Sequence, residues 1–271
     1  MHYNMRCAFM LFIAMIGVNA DERPSGRMWE AEDLKTRYIA QVARLRALGY
    51  PAMFGGDSLF EERFKADRQP WSPYKSVYEE LFKTTPVWVD DGNIPMLIVV
   101  PRNCAPLRWQ ATRVMIDGVK SDAPQFELSR VQDIADSPAL QRPYILFNVN
   151  PGADTYTTSV HGAENDLKNM HRRGLTFAEG IALLAQYPDV MKCNRGINED
   201  YRERFAFGRV VFLGASYGGA CPCDNTAEEF ITFKVRKHQG DGFARGYFTP
   251  VIRRDMTPNY SRFLFPSCEA E

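Results

Sequence analysis

Thr176-Phe-Ala-Glu-Gly-Ile-Ala-Leu-Leu-Ala-Gln-Tyr-Pro188 spells out a helix with both of its ends. Thr176 followed three residues later by Glu179 is a capping box, in which each side chain takes a backbone N–H that the helix leaves unpaired. Ile181, Leu183 and Leu184 are its apolar residues, and Pro188 ends or bends it. Residues 163–172 read as an earlier helix that stops at Gly174. Continuous apolar runs flank the pair. Residues 144–149, closed by the turn signal Asn150-Pro151-Gly152, and residues 209–213 read as buried strands.

Outward from this centre the chain alternates in the same way. Residues 29–48 place Leu34, Tyr38, Val42, Leu45 and Leu48 on one helical face, with Gly49 and Pro51 as the stop. Ser58-Leu-Phe-Glu61 is a second capping box, opening a short helix whose inner side carries Phe60 and Phe64. Ser72-Pro73 opens a third, with Tyr74, Val77, Tyr78, Leu81 and Phe82 as its apolar face. Residues 96–100 read as a buried strand bounded by Pro95 and Pro101, and Pro106 starts a helix through Arg113. Residues 119–142 are mixed and prolyl, which suits loops with short elements. Farther on, Phe230, Thr232, Lys234 and Arg236 alternate with Ile231, Phe233 and Val235, the period of a strand with one wet face. Residues 246–252 give one more strand. The expected fold is α/β or α+β: N-terminal helices packed on a mixed central sheet of about five strands, as a single domain over residues 21–271.

Of the 271 residues, 45% are hydrophobic and 13% aromatic, enough for a sizeable core. The 33 basic and 33 acidic residues cancel, so no basic field exists to draw a phosphate backbone, and nucleic acid is not an expected partner. Residues 1–20 have the form of a secretory signal. Arg6 supplies the positive charge, an apolar stretch runs from Cys7 to Val18, and Val18-Asn19-Ala20 gives the short residues of a cleavage site before Asp21. That stretch is too short for a stable span, and no later segment is apolar enough to be transmembrane. The protein is therefore expected to be exported, periplasmic or extracellular. The competing reading is a cytoplasmic protein whose true start is Met28. Cleavage would leave Cys104, Cys193, Cys221, Cys223 and Cys268, an odd number that leaves at least one thiol free or bridged to another molecule.

One motif looks catalytic. The hydrophobic residues 210–213 run directly into Gly214-Ala-Ser216-Tyr-Gly218, the Gly-x-Ser-x-Gly pattern of a nucleophile elbow. His238, with Asp241 or Asp224, would be the base and its orienter. Only 55 residues follow Ser216, and Pro222 sits where a helix should begin, so a glycine-rich turn after a buried strand explains the same letters. Cys221-Pro-Cys223 offers half of a zinc site or a thiol redox pair. His161, Glu164 and His171 lie close in sequence, and Glu164 and His171 would share a helix face, but the metal-binding His-Glu-x-x-His spacing is missing. Residues 234–238 form a small basic cluster that suits a solvated face. No cofactor and no metal site is expected.

Residues 38–51, the run 144–149 with Gly152, and residues 173–188 followed by Asn194 together resemble a bacterial family of unknown function, common in actinobacteria. The resemblance spans about residues 38–215 and is best in the Leu-Thr-x-x-Glu-Gly helix. It implies no activity and no site residues. Members of that family look leaderless, which counts against export. Its pattern ends in a Gly-Trp-Cys-Trp segment, whereas this chain has no tryptophan after Trp109. The leading functional expectation is a binding domain of unknown ligand or protein partner. The alternatives are a serine hydrolase acting on an ester through Ser216, and a small metal or redox site at Cys221 and Cys223.

Overall fold

The computed structural model describes residues 25–65, 77–116, 118–133, 142–152, 160–192, 209–217, 229–237, 244–252, 263–264 and 266–269. The chain enters as a strand, β1 (Gly26–Trp29), before the long helix α1 (Ala31–Ala47). Sequence patterning missed β1 because its four residues are too few to show a period. A 3-10 turn (Tyr50–Phe54) follows, entered through Gly49 at φ 88. Helix α2 (Asp57–Phe64) starts one residue ahead of Ser58, so Gly56 is the N-cap and the expected Ser58 capping box is not made. Helix α3 (Tyr78–Thr84) follows, and its expected opening at Ser72-Pro73 lies outside the described residues. Strand β2 (Val87–Asp90) returns to pair with β1.

The buried strand expected at 96–100 is β3 (Ile94–Val99), which takes in Pro95. Helix α4 (Leu107–Ala111) has Pro106 as its N-cap. A tight hairpin, β4 (Met115–Ile116) and β5 (Val119–Lys120), leads to β6 (Val131–Asp133). Strand β7 (Tyr144–Val149) pairs antiparallel with β3. Helix α5 (Val160–Asn169) is followed by strand β8 (Arg172–Gly174) and helix α6 (Phe177–Gln186). The long strands β9 (Arg209–Tyr217), β10 (Glu229–Lys237) and β11 (Ala244–Ile252), then the short β12 (Phe263–Leu264) and β13 (Ser267–Glu269), complete the order.

The fold is α+β. Its largest sheet has five strands in the order β11-β10-β9-β12, with β6 pairing β9 at the far end of that strand. The sheet is mixed: β12 runs parallel to β9 and the other pairs are antiparallel. The N-terminal helix rests elsewhere, on the separate β3–β7 pair. There Gln41 of α1 does the work of a missing strand. Its amide nitrogen donates to the Met96 carbonyl at 2.9 Å, and its amide oxygen accepts from the Ile98 N–H at 2.8 Å. The open edge of β3 is thereby satisfied by a helix side chain.

Helix α6 is buried from Phe177 to Gln186 and links the two layers, packing on β3 and on β9. Two close approaches make this possible. A Cβ on Gly180 would fall 2.2 Å from the Phe212 ring, and a Cβ on Gly214 would fall 2.4 Å from the Gly174 carbonyl oxygen. The Gly214 N–H donates to the Leu175 carbonyl at 3.0 Å across this crossing. Around it Phe177, Phe212, Phe233 and Phe248 pack as an aromatic cluster.

The expected wet face of β10 is only partly wet. Ile231 and Phe233 are buried as patterning required, but so is Thr232, whose hydroxyl donates to the Thr249 carbonyl at 3.1 Å.

Because backbone rather than a pliable side chain fills the space, Gly214→Ala should cost about 2 kcal/mol or more, in the range of overpacked cores. Gly56→Ala, which meets nothing within 4 Å but sits at φ 116, should cost about 1 kcal/mol from backbone strain alone. Urea unfolding of the two variants beside the parent checks the order; equal costs would mean that the crossing is not tight.

Candidate functional site

The most concentrated chemistry among the described residues lies at the start of α6. Thr176 is the N-cap as expected: its hydroxyl accepts from the Glu179 N–H, and the Glu179 carboxylate accepts the Thr176 N–H at 2.8 Å. Glu179 is fully buried. A buried carboxylate needs more than a cap, and it receives more. Arg173 on β8 grips it as a fork, Nη1 to one oxygen and Nη2 to the other, both at 2.8 Å. The Tyr144 hydroxyl of β7 donates to the same carboxylate at 2.9 Å. Burial works against the Arg173 charge, but its hydrogen bonds to Glu179 and the Glu179 charge outweigh it and hold the guanidinium firmly protonated. Strand β13 closes this centre by pairing Cys268 opposite Arg173, and the Cys268 thiol is buried.

A second carboxylate stands near the first. Asp133 of β6 binds Arg102, Oδ2 to Nη2 at 2.6 Å, while its Oδ1 is buried without a hydrogen bond. The Phe177 N–H at the start of α6 favours its charged form. Burial pushes the Asp133 carboxyl up; Arg102 pulls it back, and the Glu179 charge pushes it up again. The folded protein therefore binds this proton more tightly than the unfolded chain does.

A third polar cluster joins β2, β7, β8 and β13. Asn148, at φ 49, accepts from the Asp90 N–H and the Asn93 amide, and the Arg172 guanidinium donates to the Asn148 carbonyl and to Ser267. Neither this cluster nor Arg173–Glu179 was legible as a site, because their members come from elements far apart in the chain. Arg173 and Glu179 do stand six residues apart, but no rule of spacing joins a strand residue to a helix cap.

Ser216 lies within β9, its backbone paired opposite Phe230 of β10 and Gln132 of β6. The strand thus continues through Gly214 and Ser216 to Tyr217, where a turn was one expectation. His238, Asp241, Asp224, Cys221 and Cys223 lie outside the described residues. His171 does not share a helix face with Glu164. Helix α5 ends at Asn169, and His171 follows it at φ 53. Among the described residues no group of three or more His, Cys, Asp or Glu side chains is placed to hold a metal ion.

This α+β scaffold with a capped, ion-paired helix at its centre defines the class. The chain belongs to a family of unknown function, DUF5701, whose model matches residues 44–200, more than half of its length. No curated protein and no solved structure matches it. The matched segment holds Tyr144, Arg173, Thr176 and Glu179, the entire buried ionic centre.

Glu179→Gln should cost about 3–5 kcal/mol, the penalty for stranding a buried charge, here that of Arg173. Arg173→Met with Glu179→Leu should recover much of that loss, since it removes both charges together. For Asp133, a raised folded value means that stability falls as pH rises above the unfolded carboxylate value, roughly 4. Asp133→Asn should flatten that decline in unfolding experiments between pH 4 and 7; an unchanged slope would place the buried proton elsewhere.

Proposed function

We propose that this protein is a binding domain for a ligand or protein partner, acting outside the cytoplasm after removal of residues 1–20. The observation that carries the binding reading is the reciprocity of the ionic centre. Glu179, Arg173, Tyr144 and Thr176 satisfy one another, so the buried carboxylate at the start of α6 is occupied in holding that helix to two strands. Recognition then falls to the surface around a rigid scaffold.

Export is supported by what lies ahead of Met28. The Ser25 carbonyl accepts the Asp91 N–H at 2.7 Å, Gly26 and Arg27 pair with Asp90 and Val89, and Arg27 stacks on Trp29. A chain started at Met28 would lose half of β1. A cut after Ala20 would keep all of it. The mature N-terminus, read by mass spectrometry, should be Asp21; Met28 would overturn the export reading. A chain lacking residues 1–27 should melt about 5 °C below one lacking residues 1–20, at roughly 2–4 °C per kcal/mol for a domain of this size.

The second reading is a serine hydrolase, favoured by the Gly-x-Ser-x-Gly motif, of which Gly214 to Tyr217 lie in β9. A fluorophosphonate that labels the parent and not Ser216→Ala, with ester turnover, would replace the binding reading. A ligand that raises the melting temperature without being consumed would support it.

A further inference from the structure

We propose that Arg27 and Arg37, gathered on the indole of Trp29, form a binding site for an oxyanion, the carboxylate or phosphate group of a small acidic ligand. The inference rests on the binding reading above and gives it a chemistry. Only Glu30 separates β1 from α1, so the end of the strand and the first turns of the helix meet at one point. There the Arg27 guanidinium lies 3.7 Å from the Trp29 ring centre and that of Arg37 lies 5.1 Å from it.

Two like charges on one ring repel each other, and a neighbouring carboxylate would ordinarily offset them. The acids between them are engaged elsewhere. Asp33 accepts the Glu30 N–H at 3.0 Å, Glu30 is the N-cap of α1, and Glu32 faces Lys35 at 3.7 Å. Among the described residues, neither Arg27 nor Arg37 is in an ion pair. A guanidinium held over a ring without a carboxylate partner keeps N–H groups for carboxylate and phosphate oxygens.

The pair also stands beside an anchored group. The Arg37 charge acts on the Tyr187 hydroxyl. That hydroxyl accepts from the Gln41 amide at 3.0 Å and donates to the Met96 carbonyl at 3.2 Å. Arg37 therefore lies beside a hydroxyl anchored to the core strand β3, and Arg27 lies over the Trp29 ring. An anion meeting guanidinium groups already gathered on one ring loses less to ordering them than one that must collect free side chains. Tyr187 and Met96 fall inside the family segment, whereas Arg27, Trp29 and Arg37 precede it. The arginines thus lie ahead of the matched segment, beside residues that lie within it.

The test is a titration of the 15N-labelled full chain, as it accumulates in its host, with inorganic phosphate and separately with citrate, at ionic strength matched by sodium chloride. At least one anion should shift the Trp29 indole N–H and the Arg27 and Arg37 Nε–H signals saturably. Arg27→Gln and Arg37→Gln should each weaken that binding about tenfold or more, as expected when a charge-assisted hydrogen bond is lost. The exposed Arg108→Gln should leave it unchanged. Response to phosphate alone or to citrate alone names the group recognised. Saturation by neither anion, or equal weakening by Arg108→Gln, overturns the site. If neither anion binds while an uncharged ligand still raises the melting temperature, this site falls and the binding reading stands.

Discussion

A carboxylate with no access to water must be neutralised or expelled, and Glu179 is neutralised by Arg173 and accepts four hydrogen bonds. Its partners come from the loop before α6, from β8 and from β7, so the requirement of one side chain fixes three elements to a fourth. Arg173 in turn lies on the strand that receives β13, and α6 packs on both β3 and β9. The two layers of the fold meet where this ion pair sits. Pairs of this kind contribute little net stability against an apolar replacement, but they penalise any arrangement that separates them. Here the pairing specifies where α6 lies.

Glycine supplies the complementary constraint. Gly180 admits the Phe212 ring against α6, and Gly174 and Gly214 let β8 and β9 cross with their backbones in contact. The first glycine of the Gly-x-Ser-x-Gly motif thus has a structural reason to be glycine that owes nothing to a serine nucleophile. The same crossing carries β9 from beyond residue 200 onto the family segment, and β13 is laid beside Arg173 in the same way. The matched segment supplies the ionic centre, and strands from the C-terminal part of the chain cover it.

Much of this could be read from local sequence. The Thr176–Glu179 box and the run 144–149 correspond to the observed elements nearly residue for residue, because caps and buried apolar runs are decided by near neighbours. Where the reading failed, the deciding contact was distant or the element too short. Ser58 looked like a cap, but α2 starts at Asp57. Gly214 looked like a turn, yet it is a close-packing position inside a paired strand. β1, β8 and β13 have three or four residues each and owe their existence to partners across the fold. Glu179 was legible as a cap and not as half of a buried ion pair, since Tyr144 comes from 35 residues away. The arginine pair on Trp29 was invisible because it joins a short strand that shows no period to the helix that follows it.

The junction of α6, β8 and β9 should be a unit that opens only when the whole fold opens. Native-state hydrogen exchange at the Gly214 N–H, which donates to Leu175 across that junction, tests this most directly. The expected result is exchange with the free energy of global unfolding, in step with the Thr176 N–H held by Glu179. Exchange of Gly214 at a free energy well below the global value, with Thr176 still protected, would show that β9 detaches on its own and would contradict the account.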